Sequence, residues 1–318
     1  MQTERDLSAA RSLGVAFALL ALAFFPLVGD RFYVQFTSKI MMMAIFAMSL
    51  DLLVGRTGLV SLGHALYYGL AGYALILLAD AGVQSLWWVL PAAAGLAALA
   101  ALAVGALVLR TSGAYFIMVT LAFAQMAYFF VHDSKYFGGS DGKYLAARPS
   151  LALGDWQLLD LANHVHRFYL AWACLVLVFV LLRALVASPF GRALAGIREN
   201  EQRMRALGFA TFRYKLVAFV IAGALAGIAG ALTALQDGVM NPEHLGWHRS
   251  GAVLLMVILG GMGTLAGPAL GAAAFMLLEL VFSTWTKHWQ LLMGGFIVAL
   301  VLFAPRGLAG LFGREEAK

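Results

Sequence analysis

Tyr169-Leu170-Ala171-Trp172-Ala173-Cys174-Leu175-Val176-Leu177-Val178-Phe179-Val180-Leu181-Leu182 runs without a single charge, and Arg183 ends it. About 20 apolar helical residues, at about 1.5 Å each, cross a hydrocarbon core of about 30 Å. Starting at Phe168, this run is of that kind. Others start at Leu13, Val34, Leu59, Leu86, Gly113, Tyr214 and Leu291, and a longer block extends from Ser250 to Ser283. The whole chain agrees. Of its 318 residues, 62% are hydrophobic and 12% charged, against about 45–50% and about 25% in soluble domains. Too little polar surface is available to coat a water-soluble globule, and so much hydrophobicity excludes a disordered chain. The bilayer is therefore the solvent. Lipid gives backbone N–H and C=O groups no partner, so the spans must be helices. No ten-residue alternating strands of a barrel occur. The expected fold is all-α, a polytopic membrane helical bundle.

Charge sets the expected topology. The segment Arg183–Lys215 holds Arg183, Arg192, Arg198, Arg203, Arg205, Arg213 and Lys215 against only Glu199 and Glu201. Basic loops stay cytoplasmic, which places this segment inside, together with the tail bearing Arg306, Arg314 and Lys318. The formal charge of +6 thus reflects cytoplasmic loops rather than nucleic-acid binding. Crossings between two cytoplasmic points must be even in number. Ser250–Ser283 is therefore expected to form two short helices meeting near Gly260–Thr264, with a dip that does not cross as the alternative. The total is about ten spans, or eight to ten. Arg5, Arg11 and Leu13–Val28 resemble a secretory signal, but no A-x-A site precedes Asp30 and Arg31, so an uncleaved first helix is expected. Gly223 and Gly227, and Gly263, Gly267 and Gly271, recur every four residues and suit close helix contact. Cys174, the sole cysteine, reads as a small buried hydrophobe.

The chemistry is sparse. Gly138-Gly139-Ser140-Asp141-Gly142-Lys143-Tyr144 has the wrong spacing and no hydroxyl for a phosphate-binding loop, so any ATP hydrolysis belongs to another chain and this one is non-catalytic. Asp51 and Glu279 are the acids within the expected spans. Neither sits at mid-membrane, which favours interfacial solvation or a helix–helix hydrogen bond over proton relay. His132, His164 and His166 lack the spacing of a metal site, and none is expected. His64, opening an apolar helix among small residues, reads either as a packing histidine or as part of a gate. The loop Ser188–Phe209 places Pro189 in a first helical turn. Leu194, Ile197, Met204 and Leu207 form an apolar stripe, and Gly208 is suited to end the helix. One short amphipathic helix is expected, either lying on lipid or docking into a partner's groove.

Five stretches, in this order, carry a resemblance. They are Gly58-Leu59-Val60-Ser61-Leu62-Gly63-His64-Ala65, Gly138–Gly142, Ser188–Lys215, Leu259-Gly260-Gly261-Met262-Gly263-Thr264-Leu265-Ala266-Gly267-Pro268 and the tail Phe303–Leu311. With them the chain resembles the permease subunits of branched-chain amino acid ABC transporters, the LivM type of the LivH/LivM family. Asp51 departs from the pattern, standing where an Asn is expected. The resemblance implies a single permease domain over residues 1–318, multi-pass in a bacterial inner membrane. It also implies a second homologous permease subunit, two cytoplasmic ATP-binding subunits that hold ATP and Mg, and a periplasmic substrate-binding protein. No cofactor is expected in this chain. Relatives of this type also carry urea, short amides or aromatic acids. The implied ATPase-coupling residues lie in the loop 188–213: Phe190, Gly191, Arg192, Leu194, Ile197, Arg198, Glu199, Asn200, Glu201, Ala206, Leu207 and Gly208. The translocation path is expected at Ser61, Gly63, His64, Gly139, Ser140, Asp141, Gly260, Gly261, Gly263 and Thr264. A proton-coupled secondary transporter is the alternative.

Overall fold

The computed structural model describes residue 14 and residues 17–27, 29–153, 156–303 and 307–311. The basic tail residues Arg306, Arg314 and Lys318, and the N-terminal Arg5, Arg11 and Leu13, lie outside the described residues. The apolar runs become helices: α1 (Phe17–Leu27), α2 (Arg31–Thr57), α3 (Ala65–Asp80), α4 (Leu86–Val108), α5 (Ala114–His132), α6 (His164–Ala187), α9 (Thr211–Asp237), α10 (Trp247–Gly260), α11 (Gly267–Trp285) and α12 (Trp289–Phe303). Two short helices, α7 (Pro189–Glu199) and α8 (Glu201–Ala206), form the basic loop, and α13 (Gly307–Leu311) closes the described chain. Among the described residues six helices, α2, α4, α5, α6, α9 and α11, are long and apolar enough to cross a membrane, while α1, α3, α10 and α12 are shorter apolar helices. This is a polytopic helical membrane protein. Its small strands lie in the connections: β1 (Lys143–Tyr144) pairs antiparallel with β4 (Val239–Met240), and β2 (Leu151–Leu153) with β3 (Trp156–Leu159).

The centre is a symmetric pair that sequence reading did not anticipate. Helices α2 and α9 are each 27 residues long and each ends on a left-handed glycine, Gly58 (φ 73°) and Gly238 (φ 72°). A connection without α-helix follows in both cases, with a histidine six residues past the glycine (His64, His244), and then a short helix, α3 or α10. The Lys39–Asp237 ion pair (3.0 Å) and the contact of Thr233 with the Met42 sulfur (3.5 Å) run α2 antiparallel to α9. Helices α3 and α4 pack on α9, while α10 and α11 pack on α2. Helices α2–α4 and α9–α11 are thus arranged as an inverted pair, an architecture in which binding sites fall at the interface between the repeats.

Two local expectations change. The apolar run at Leu59 becomes helical only at Ala65, because side chains satisfy the intervening backbone. The Leu62 N–H donates to Thr120 Oγ1 (3.3 Å), the Gly63 N–H to Ser61 Oγ (3.2 Å) and the Ala65 N–H to Ser250 Oγ (2.9 Å). Irregular backbone survives at membrane depth only under such cover. The single helix expected over Ser188–Gly208 is two, broken at extended Asn200 (φ −155°), whose side chain accepts from the Arg203 N–H at 2.9 Å. Asparagine favours this capping role over a helix interior. The Ser250–Ser283 block does form two helices, α10 and α11, meeting in the turn 261–266.

Close glycine packing occurs as expected. A side-chain carbon at Gly227 would lie 2.6 Å from Ala97 Cβ on α4, and one at Gly271 would lie 2.6 Å from the Gly260 nitrogen on α10. Gly263 is the exception in its set. It sits in the turn at φ 81° rather than on a helix face.

Candidate functional site

At one end of the bundle, α2, α5, α9, α10, α11 and α12 enclose a cavity of about 1020 Å³. Its wall combines apolar side chains such as Phe36, Met43, Met256 and Phe275 with polar and charged ones. Lys39 and Asp237 pair with each other. Tyr68 donates its hydroxyl to Thr233 Oγ1 (2.7 Å) and accepts from an Arg249 amino nitrogen (3.4 Å). The Arg249 guanidinium lies 5.6 Å from the Tyr68 ring centre, and the His244 ring tilts against that same ring. Gln125, Asn241, Glu243 and Glu279 also line it. Charged groups on membrane helices are costly unless they face protein or a water-filled path, and here they converge on one chamber.

The opposite end holds a tight backbone junction. Asp51, only 5% exposed, accepts the Gly263 N–H at 2.8 Å. A side-chain carbon at Gly55 would meet the Gly263 backbone, so α2 and the α10–α11 turn touch main chain to main chain. Arg198 on α7 donates to the Gly55 carbonyl beside them. The carboxylate at position 51 thus makes the bond an amide there would make, because the Gly263 N–H needs only an acceptor.

The basic loop is pinned to this end. Leu194 and Ile197 are buried, and α7 packs against α2, α6 and α9. Phe190 stacks on Tyr214 (5.5 Å between ring centres), and Gly191 leaves no room for a side chain against the Val186 and Leu185 carbonyls. Glu201 bonds Lys215, Arg205 (2.7 Å) and Thr211 (3.0 Å). Burial raises its carboxyl pKa, but these bonds outweigh that and hold it below the usual carboxylate value. Arg192, Glu199, Asn200, Ala206, Leu207 and Gly208 are exposed. The apolar side chains exposed between α8 and the start of α9 are Leu207, Phe209 and Phe212, not the Leu194 and Ile197 of the expected stripe. Gly208 (φ 87°) has open space around it. Gly208→Val is therefore expected to cost roughly 1–2 kcal/mol from backbone strain alone, read as a lower thermal midpoint of the purified protein. An unchanged midpoint would mean that the end of α8 rearranges freely.

The expected path residues fall in three separate places. Ser61 and His64 are fully buried, with His64 Nε2 2.9 Å from Ser49 Oγ and its ring stacked on Phe46, and Gly63 abuts Thr120. Ser140 and Asp141 are exposed and Gly139 half-buried, beside the β1–β4 pair. Gly260, Gly261, Gly263 and Thr264 form the far turn, where Thr264 Oγ1 donates to the Gly261 carbonyl (2.7 Å). None of them lines the large cavity. Of the cavity wall, sequence reading singled out only Glu279. The charges Lys39, Asp237 and Arg249 at the edges of apolar runs were the available signal.

The family model described as "Branched-chain amino acid transport system / permease component" matches residues 32–304. The chain belongs to this family. The match takes in both inverted units, the cavity, the junction and the basic loop. The chain is 31% identical over 313 residues to the high-affinity branched-chain amino acid transport system permease protein LivM of Escherichia coli (strain K12), covering 92% of this chain and 73% of that protein. To LivH of the same strain it is 24% identical over 295 residues, 84% of this chain and 91% of LivH. It is also 27% identical over 172 residues to the autoinducer 2 import system permease protein LsrC of Photorhabdus laumondii, covering 51% of this chain and 50% of LsrC. No solved structure matches the chain. Membership in a family of ABC permease components lends no support to the proton-coupled alternative.

Proposed function

We propose that this chain is the LivM-like member of a permease pair in an ATP-driven importer of branched-chain amino acids in a bacterial inner membrane. The observation that carries this reading is the charged chamber at one end of an apolar bundle, joined through α2 to a basic surface element at the other. The ten apolar helices α1–α6 and α9–α12 each cross the membrane, with the loop 188–213 in the cytoplasm and the chamber facing the periplasm. A periplasmic binding protein delivers the amino acid there. ATP and Mg bind to two cytoplasmic subunits, so this chain is a non-enzymatic component. Phe190, Gly191, Leu194, Ile197 and Arg198 hold α7 on the bundle, while Arg192, Glu199, Asn200, Glu201, Ala206, Leu207 and Gly208 belong to the ATPase-facing loop. Ser61, Gly63 and His64 pack one part of the closed path, the turn with Gly260, Gly261, Gly263 and Thr264 forms a separate part at its inner end, and Gly139, Ser140 and Asp141 lie on the periplasmic rim.

The test is leucine uptake into proteoliposomes holding the complete complex. Uptake is expected to need ATP and the binding protein and to persist when the proton gradient is collapsed. Uptake that follows the gradient without ATP would sink the reading. Leu207→Asp is expected to leave folding intact, since the side chain is exposed, while reducing ATPase co-purification about tenfold or more by placing a charge in an apolar contact. Wild-type co-purification would remove α8 from the docking surface.

A further inference from the structure

The chamber contains two buried polar atoms that the protein leaves without hydrogen-bond partners, Arg249 Nε and Asn241 Oδ1. Buried polar groups are nearly always paired, so such exceptions require an explanation. One is a donor on a permanent cation and the other a neutral acceptor. A guanidinium carries five N–H donors, and the bond to Tyr68 uses only one of those on Arg249. The Tyr68 contact also holds the guanidinium in the chamber wall. Arg249 stands in the first turn of α10, whose N-terminus has no side-chain cap and whose Gly246, Trp247 and His248 line the same chamber. An uncapped helix start adds positive potential and free N–H groups to the guanidinium. Glu279 lies in the same wall and makes no ion pair with Arg249. Lys39 and Asp237, by contrast, neutralise each other. The chamber thus displays one cation and two carboxylates, Glu243 and Glu279, that make no salt bridge among the described residues, together with a neutral acceptor, and Met43, Met256 and Phe275 belong to its apolar wall.

From this arrangement we infer that the chamber is itself a recognition site for a zwitterionic α-amino acid with an aliphatic side chain. Arg249 takes the carboxylate through its free edge and Nε, the geometry a guanidinium offers a carboxylate. Glu279 and Asn241 Oδ1 take the ammonium group, and the methionine and phenylalanine side chains take the aliphatic tail. The inference rests on the proposed importer function and adds to it a selective step within the membrane, after release from the binding protein. A substrate lacking either charge would leave Arg249 or Glu279 desolvated and unpaired, which is the strongest form of rejection available to a polar site.

The experiment is photolabelling of the complete membrane complex in nanodiscs, without ATP or binding protein, using the diazirine analogue of L-leucine. Mass spectrometry then reads the label on this chain alone. The peptides bearing Met256 or Phe275 are expected to be labelled. L-leucine should protect them, while leucinamide, which lacks the carboxylate, and 4-methylpentanoate, which lacks the ammonium group, should protect poorly. Arg249→Gln should cut labelling about tenfold or more, as expected for losing hydrogen bonds to a charged group, and Arg249→Lys should restore part of it. Glu279→Gln should remove the advantage of leucine over 4-methylpentanoate. No label on these peptides in the wild-type complex, or equal protection by leucine and leucinamide, overturns the inference without any variant having to fold. ATP-driven leucine uptake by that same complex would leave the importer reading standing, whereas its absence would count against that reading separately.

Discussion

Gly230→Val should leave almost no correctly folded protein. Gly230 lies on α9 where that helix crosses α3, and a side-chain carbon there would sit 2.6 Å from the carbonyl carbon of Tyr68 and 2.9 Å from its Cα. Those are backbone atoms of α3, so no side-chain rotation relieves the clash and the helices must separate. Separation breaks the Tyr68–Thr233 hydrogen bond and shifts the ring packed between Phe46 and His244. Overpacking alone costs typically about 1–3 kcal/mol, and a lost buried hydrogen bond adds about 1 kcal/mol. Because Tyr68 also positions Arg249, the chamber would be lost with the packing. Gly95→Val is the control. It is another glycine inside a helix, but with nothing within 4 Å of the added carbon. Fluorescence-detected size exclusion and thermal midpoints compare the two. A Gly230→Val protein that elutes and melts like Gly95→Val would mean that α3 and α9 do not meet at this point.

The helices were legible in the sequence because lipid enforces a simple rule, that length and apolarity suffice to mark a span. Even the awkward block Ser250–Ser283 resolved into α10 and α11, since charge parity left two crossings or none and Gly260, Gly261 and Gly263 marked the turn. Less legible was whatever depended on which helices meet. His64 and His244 stand at matching places after Gly58 and Gly238, yet the flanking residues differ so much that only the paired geometry of α2 and α9 exposes the repeat. Asn200 splits the basic loop through a side-chain cap that competes with helix continuation, and a stripe read at helical spacing passes over it. Leu194 and Ile197 were correctly apolar, but periodicity cannot say whether an apolar face meets its own bundle or a partner. The chamber was hardest to foresee. Lys39, Asp237, Arg249 and Glu279 come from four helices, and near the ends of apolar runs each reads alone as an interfacial charge.

The second large effect is expected at the junction beneath α7. Replacing Asp51 with Leu should sever transport from ATP hydrolysis, whereas Asp51→Asn should be nearly silent. The Gly263 N–H has Asp51 as its hydrogen-bond partner, and an unsatisfied buried donor costs about 1–3 kcal/mol. Leucine supplies no acceptor for that N–H. Asparagine keeps an oxygen at the same reach. The mechanical argument follows from position. Arg198 ties α7 to the Gly55 carbonyl, Asp51 ties the same turn of α2 to the α10–α11 turn, and α2 continues to Lys39 in the chamber wall. Gly55 and Lys39 are sixteen residues apart on one unbroken helix, about 24 Å. On the proposed function, a partner that displaces α7 moves the chamber through this rigid rod and, by way of α10, through Arg249. Arg198→Gln removes only the first tie, and exposure of the rest of that side chain makes misfolding a poor explanation for any defect. Leucine transported per ATP hydrolysed in proteoliposomes is the measurement. Losing about 1.4 kcal/mol of coupling lowers the ratio about tenfold, and both Asp51→Leu and Arg198→Gln should fall at least that far while still hydrolysing ATP. If both retain the wild-type ratio, the force enters by another route, and the Asp51–Gly263 bond serves only to hold the turn in place.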